Sequence, residues 1–146
     1  IGGLIHDVGK VVINNSVPDQ YSLVIDKINA EKIPSIVAED AILGFNHCNV
    51  GGLIARKWKL PRNLEAIIEY HHAEEYPLFE DSGYGTMCQI VQAADAMCLY
   101  MGIGMQGAVD FSKIGFEQLG LTTSRFNSLQ EKLKQDFDAQ KDSLLQ

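Results

Sequence analysis

The chain has 146 residues, 46% of them hydrophobic, and a formal charge of -7 at pH 7. That size and composition predict one soluble domain with a genuine core, residues 1–146. No apolar run reaches the roughly 20 residues that a spanning helix needs, and no signal-peptide pattern is present, so no membrane role is expected and the cytoplasm is the default address. The acidic balance argues against nucleic acid as a partner, because such affinity rests on Lys and Arg neutralising phosphates. A small phosphorylated ligand stays compatible with it, since a bound cation can supply a positive field locally. Three cysteines, Cys48, Cys88 and Cys98, form no C-x-x-C pair and fit buried thiols better than a disulfide frame or a zinc ribbon.

The chain opens on Ile1 within a stretch that reads as helix, with neither methionine nor N-cap before it, and the expectation is a piece of a longer protein. Leu4-Ile5-His6-Asp7-Val8-Gly9-Lys10 follows at once. Read as one helix, it lets His6 and Asp7 converge on a metal, or lets Asp7 bridge to a second ion. Lys10 then lies four residues after His6 and three after Asp7, where its ammonium can hold a phosphate oxygen. Gly9 leaves room for another helix. Alone, such a His-Asp pair more often means a capped helix with two surface charges.

The first segment ends at Asn14-Asn15-Ser16, and Pro18 suits the first turn of a second helix carrying Tyr21, Val24, Ile25 and Ile28. Pro34-Ser35 breaks the chain. Ser35 with Glu39 resembles an N-cap with acidic early residues; Ile36, Ile42 and Leu43 form the apolar side, and Gly44 is the expected C-cap. A helix over about Asn46 to Lys59 holds His47, Val50, Leu53, Ile54 and Trp58. Its Gly51-Gly52 pair costs about 1 kcal/mol per glycine relative to alanine, which implies close helix packing or a ligand against the backbone. After Leu60-Pro61, Asn63 to Tyr70 reads as a short amphipathic helix that turns Leu64, Ile67 and Ile68 inward and delivers His71-His72. The acidic stretch from Ala73 to Gly85 reads as a mobile lid.

Thr86 to about Gly102 is the most apolar helix, with Asp95 in its middle. Val91 and Cys98 share its face, so the carboxylate is expected to point inward and to need a cation or donors. A glycine-rich turn (Gly102, Gly104, Gly107) and Asp110 lead to a short helix near Phe111 to Leu119. The last helix starts near Thr123 and shows Phe126, Leu129, Leu133 and Phe137 at helical spacing. Strand-like alternation is absent, so the fold class is all-α.

Four histidines, His6, His47, His71 and His72, fall on helices or helix ends, and Asp7 and Asp95 are the two carboxylates expected to face inward. Any one imidazole is more often a hydrogen-bonded core or surface residue than a ligand. All of them together favour a divalent metal site, and a His/Asp set suits Fe, Mn or Zn, as one or two ions.

The order His6-Asp7, His47, His71-His72, Asp95 resembles the HD superfamily of metal-dependent phosphohydrolases, including its HD-GYP branch. The wider wording is closer to the HDOD domains of bacterial signalling proteins. It lies in Gly3 to Lys10, Pro18 with Tyr21, Glu39 with Leu43-Gly44-Phe45-x-His47, Val50-Gly51, Trp58-x-Leu60-Pro61, Ile67-x-x-Tyr70-His71-His72 and Ile90-Val91-x-x-Ala94-Asp95. The resemblance spans about residues 3–100. It implies an HD-like helical bundle that here lacks its N-terminal helical half, and a ligand set of His6, Asp7, His47, His71, His72 and Asp95. Two departures stand out. The upstream His or Glu of the superfamily has no counterpart, and Ala73 replaces the glutamate that would follow His71-His72, while Gly83-Tyr84-Gly85 lacks the proline of a GYP loop.

Two functions follow from the resemblance. The first is a regulatory output module of the HDOD type, whose expected partners are other signalling domains and, in a homo-oligomer, a second copy of the chain. The second is an active metal-dependent phosphohydrolase or phosphodiesterase acting on a phosphate ester or cyclic dinucleotide. There Lys10 and Asp7 carry the catalytic roles: Asp7 fixes the ions that activate water, and Lys10 stabilises charge on the phosphoryl oxygens.

Overall fold

A computed structural model describes residues 1–73, 83–104 and 119–144, with side chains described through residue 140. The described residues form helices and no strand, in the order α1 (Gly2–Ile5), α2 (Val8–Ser16), α3 (Pro18–Glu31), α4 (Ser35–Leu43), α5 (His47–Lys57), α6 (Arg62–Tyr70), α7 (Tyr84–Tyr100) and α8 (Thr123–Leu144). They divide into two compact units, one holding α1 to α7 and the other holding α8. Among the described residues, no helix is long and apolar enough to cross a membrane.

The helix ends follow local chemistry. Pro18 opens α3, where its missing N–H costs nothing. Gly44 closes α4 in the left-handed conformation at φ 76°, with its N–H bonded to the Asp40 carbonyl. Two residues later Asn46 caps α5 through a reciprocal box: its side chain accepts from the backbone N–H of Cys48 and Asn49, and Asn49 accepts from the Asn46 N–H. Such a cap contributes about 1 kcal/mol. Its consequence for function is that His47 becomes the first residue of a rigidly started helix.

The stretch expected to be one N-terminal helix is two. Asp7, at φ -93° and ψ 13°, interrupts the helical path between α1 and α2, so His6 and Asp7 sit at a turn joining two helices rather than inside one continuous helix. Asp7 is therefore the residue that starts α2, and Lys10 reaches it across one turn. A second expectation also gives way. Pro34, not Ser35, stands at the α4 N-cap without a side-chain cap bond, and Glu39 lies inside the helix with its side chain fully buried. On α4 the buried residues are Ala38 and Glu39, while Ile42 is exposed.

Two apolar clusters hold the first unit together. Ile13, Tyr21, Val24, Ile28 and Ala38 join α2, α3 and α4, with Val50 of α5 packed against them. Ala66, Ile67, Cys88 and Val91 join α6 to α7. Helix α5 lies between α2 and α6, and its glycines permit that approach. A Cβ on Gly51 would come within 2.5 Å of Ile68 Cγ2, and one on Gly9 of α2 would overlap the carbonyl oxygen of His47. Close helix packing is thus what the Gly51-Gly52 pair serves.

The described part of the acidic stretch begins α7 early: Gly83 adopts φ 70° at the N-cap, and Tyr84 and Gly85 are already helical. The rest of the expected lid, residues 74–82, lies outside the described residues, as do Gly107, Asp110 and nearly all of the short helix expected at 111–119. On α8, Phe126 is buried while Leu129, Leu133 and Phe137 are exposed.

Candidate metal centre

Three imidazoles and one carboxylate meet where α1, α2, α5 and α6 come together. Each ring is tied on its outer nitrogen. His6 Nδ1 lies 2.7 Å from the Gly3 carbonyl, and His71 Nδ1 lies 3.0 and 3.2 Å from the carbonyls of Ile67 and Ile68. His47 Nδ1 lies 2.6 Å from Glu39 Oε2. Carbonyl and carboxylate oxygens only accept, so in the neutral ring each Nδ1 carries the hydrogen and each Nε2 keeps its lone pair.

Those Nε2 atoms turn toward one another and toward Asp7. His47 Nε2 stands 3.4 Å from His71 Nε2 and 3.4 Å from Asp7 Oδ1, and His71 Nε2 is 3.7 Å from the same oxygen. His6 Nε2 is 3.5 Å from Asp7 Oδ2 and 3.7 Å from Asp95 Oδ1. Ligand atoms sharing one ion at bonds of about 2.1 Å stand about 3.0 to 3.4 Å apart, so these separations match a metal site within a few tenths of an ångström. The orphaned atoms fit as well. His6 Nε2, Asp7 Oδ1 and His72 Nε2 are buried without a hydrogen-bond partner. Buried polar atoms are rarely left unpaired, and a cation would pair them.

The sequence-derived residues are not all equivalent. His6, Asp7 and His71 form one group whose ligand atoms lie within 4.8 Å of one another. Asp95, on α7, joins that group through His6. His72 packs its ring on the rings of His71, at 4.3 Å between centroids, and His47, at 5.2 Å. Lys10 Nζ donates to Asp7 Oδ2 at 2.8 Å, so it reaches the carboxylate.

Two residues near the centre were not singled out for it from sequence. Glu39 holds His47 from behind. Its signal was weak, because Glu39 and Asp40 adjoin within an apolar stretch and only packing decides which is buried. Cys48 is the other, completing a second group with His47 and His71. Its Sγ faces His71 Nδ1 at 3.9 Å, the nitrogen whose hydrogen already serves two carbonyls. Burial, then the negative charges of Glu39 and Asp7, push the Cys48 thiol up to about 12, so without a metal it stays protonated. The His/Asp group is the better-organised of the two.

The electrostatics follow from burial and pairing. Burial by itself pushes Asp7 up, but the neighbouring His71 ring and the Lys10 ammonium outweigh it and hold the carboxyl well below the usual range. Burial likewise works against the charged form of Asp95, and the adjacent His6 ring overcomes it, lowering its pKa. For His6 burial pulls downward, and Asp95 with Asp7 more than restores it, leaving the pKa raised. His71 and His72 go the other way: burial lowers both, His72 to about 3 with help from the neighbouring rings.

The model of the HDOD domain family matches residues 1–74, half of the chain. The chain belongs to the HDOD family. The matched stretch carries His6, Asp7, His47, His71 and His72, whereas Asp95 lies beyond it. This HDOD chain is 29% identical over 132 residues to an uncharacterized protein of Treponema pallidum (strain Nichols), covering 86% of this chain but only 25% of that protein. It therefore spans about a quarter of the length of that curated relative. Two solved structures share the fold. One is a protein of Marinobacter aquaeolei VT8 described as a signal transduction protein, with a TM-score of 0.78 at 20% identity over 99% of this chain and 30% of that one. The other is an HDOD domain protein of unknown function from Geobacter sulfurreducens, with a TM-score of 0.71 at 25% identity over 97% of this chain and 49% of that one. The all-α, HD-like bundle expected from sequence is the fold observed.

Proposed function

We propose that this HDOD chain is a regulatory module of bacterial signal transduction that holds a divalent metal in its bundle. The observation that supports the metal is the inward convergence of three Nε2 lone pairs on the Asp7 carboxylate, those of His47 and His71 beside its orphaned Oδ1 and that of His6 beside Oδ2. His6, Asp7, His47 and His71 would be the ligands, with Asp95 and His72 available to a wider set or a second ion. Fe, Mn and Zn suit imidazole and carboxylate donors. The regulatory role is supported by kinship with HDOD domains and by two departures within the chain, Ala73 in place of the glutamate after His71-His72 and the lack of a proline at Gly83-Tyr84-Gly85. Its expected partners are other signalling domains or a second copy of the chain.

A second reading, an active phosphohydrolase, is favoured by the Lys10 ammonium on Asp7, which could bind a phosphoryl oxygen brought to the site. A bound divalent ion would supply Lewis-acid polarisation of that phosphoryl group. Asp7 would then orient the ion, and Lys10 would offset the charge that develops on the phosphoryl oxygens.

Metal analysis and a turnover assay separate these readings. The purified protein should bind Mn²⁺ or Zn²⁺ and release it on His47→Ala. Metal bound without hydrolysis of a bis-aryl phosphate or cyclic dinucleotide supports the regulatory module. Turnover that vanishes in Lys10→Ala and Asp7→Asn supports the hydrolase. Absence of metal from the Mn²⁺-incubated wild type overturns the metal centre.

A further inference from the structure

We infer that Glu39 is the positioning residue of the metal centre, gripping His47 from outside so that its Nε2 can only face Asp7 and His71. The inference rests on the metal reading above and deepens it.

Glu39 is 0% exposed. A carboxylate so buried is costly unless cations or donors surround it. Among the described residues no lysine or arginine is paired with it. Instead one residue supplies two donors: the His47 backbone N–H reaches Oε2 at 2.8 Å and His47 Nδ1 reaches the same oxygen at 2.6 Å. The Tyr21 hydroxyl adds a third, to Oε1 at 3.3 Å. The carboxylate is therefore arranged around His47.

This double grip has a chemical consequence. A neutral imidazole exchanges between two tautomers and can flip about its χ2 axis, and only one combination points a free Nε2 lone pair at the centre. Holding backbone N–H and ring Nδ1 with one oxygen removes the others. The turn makes this possible: Gly44 reverses the chain and the Asn46 box starts α5 at His47, which brings that N–H back to the last turns of α4. His6 and His71 are oriented by neutral carbonyls, whereas His47 is oriented by a carboxylate. A carboxylate acceptor raises the basicity of the opposite nitrogen more than a carbonyl does, so His47 would be the strongest imidazole ligand of the three. Burial and Glu39 raise the Tyr21 pKa, keeping its hydroxyl protonated as a donor.

The test compares wild type with Glu39→Gln, which keeps shape and an acceptor but loses the charge, and with Tyr21→Phe. Mn²⁺ affinity is measured by calorimetry, the Co²⁺-loaded protein by visible absorption, and the His47 ring by ¹⁵N NMR in the metal-free protein. In Glu39→Gln, Mn²⁺ affinity should fall about 10- to 100-fold. The Co²⁺ bands should shift, and His47 should change from one Nδ1–H tautomer to a mixture, while the metal-free melting temperature stays near wild type. If Glu39→Gln does not fold, Glu39→Asp keeps the charge but is too short for both His47 contacts, and it should show the same losses in weaker form. A folded variant with wild-type tautomer and Mn²⁺ affinity within twofold overturns the inference alone. A wild-type protein that binds neither Mn²⁺ nor Co²⁺ overturns the metal reading and this inference with it, and does so before any variant is made.

Discussion

His47 Nε2 and His71 Nε2 face each other at 3.4 Å, and the opposite nitrogen of each ring is committed to an acceptor. Two lone pairs so placed repel unless a proton or a cation lies among them. Added Mn²⁺ or Zn²⁺ should therefore raise the melting temperature, by about 2.7 kcal/mol of stability at a hundredfold excess over Kd, and a chelator should reverse it. His47→Ala and His71→Ala should abolish the shift. A variant that keeps the full shift would remove that residue from the ligand set.

Gly9 is the point where α2 touches α5. A Cβ there would overlap the His47 carbonyl oxygen, which is backbone and cannot swing away. Gly9→Ala should cost about 2 to 4 kcal/mol and disturb His47. Gly3, whose Cβ would meet nothing within 4 Å, is the control. Gly3→Ala should be neutral or stabilise by up to about 1 kcal/mol. Urea denaturation of both variants checks this, and equal effects would refute the packing argument.

The metal-free protein should lose stability as pH falls from about 7 to 5. In the unfolded chain His71 and His72 titrate near 6.5; in the folded state burial lowers both, His72 to about 3. Below 6.5 the unfolded state thus binds more protons, and stability falls with pH. His6 opposes this, since its raised pKa gives stability that is present below 6.5 and lost as pH rises through its folded value. Two lowered rings outweigh one raised ring. The Asp7 contribution persists through this window, because it is lost only as pH falls below the ordinary carboxyl value of 3.8. Melting in chelator between pH 5 and 8 should therefore show a lower midpoint at pH 5, and a flat or inverted profile would contradict it.

Cys48 and Cys88 should resist alkylation at pH 8 in the native state. Both are buried, and burial raises their pKa values, to about 12 for Cys48 and about 11 for Cys88. Mass spectrometry after brief iodoacetamide treatment should find them modified only in denaturant. Fast labelling of native Cys48 would instead point to a thiolate and revive the His47, Cys48, His71 group as a ligand set.

Helix order was legible in the sequence because its signals are local. Pro18 suits the first turn of a helix and Gly44 readily takes the positive φ that ends one, whereas the reciprocal cap of Asn46 with Asn49 emerged only from the structure. The set His6, Asp7, His47, His71, His72 and Asp95 was also legible, as residue types in an order. Tertiary structure decided the rest. The break at His6-Asp7, the burial of Glu39 beside the outward Asp40, and the choice of Nε2 over Nδ1 each depend on a neighbour distant in the chain. An imidazole has two nitrogens and a carboxylate two oxygens, and sequence carries no mark of which will face inward. That choice is made by whichever backbone carbonyl or carboxylate the packed helices bring to the other side.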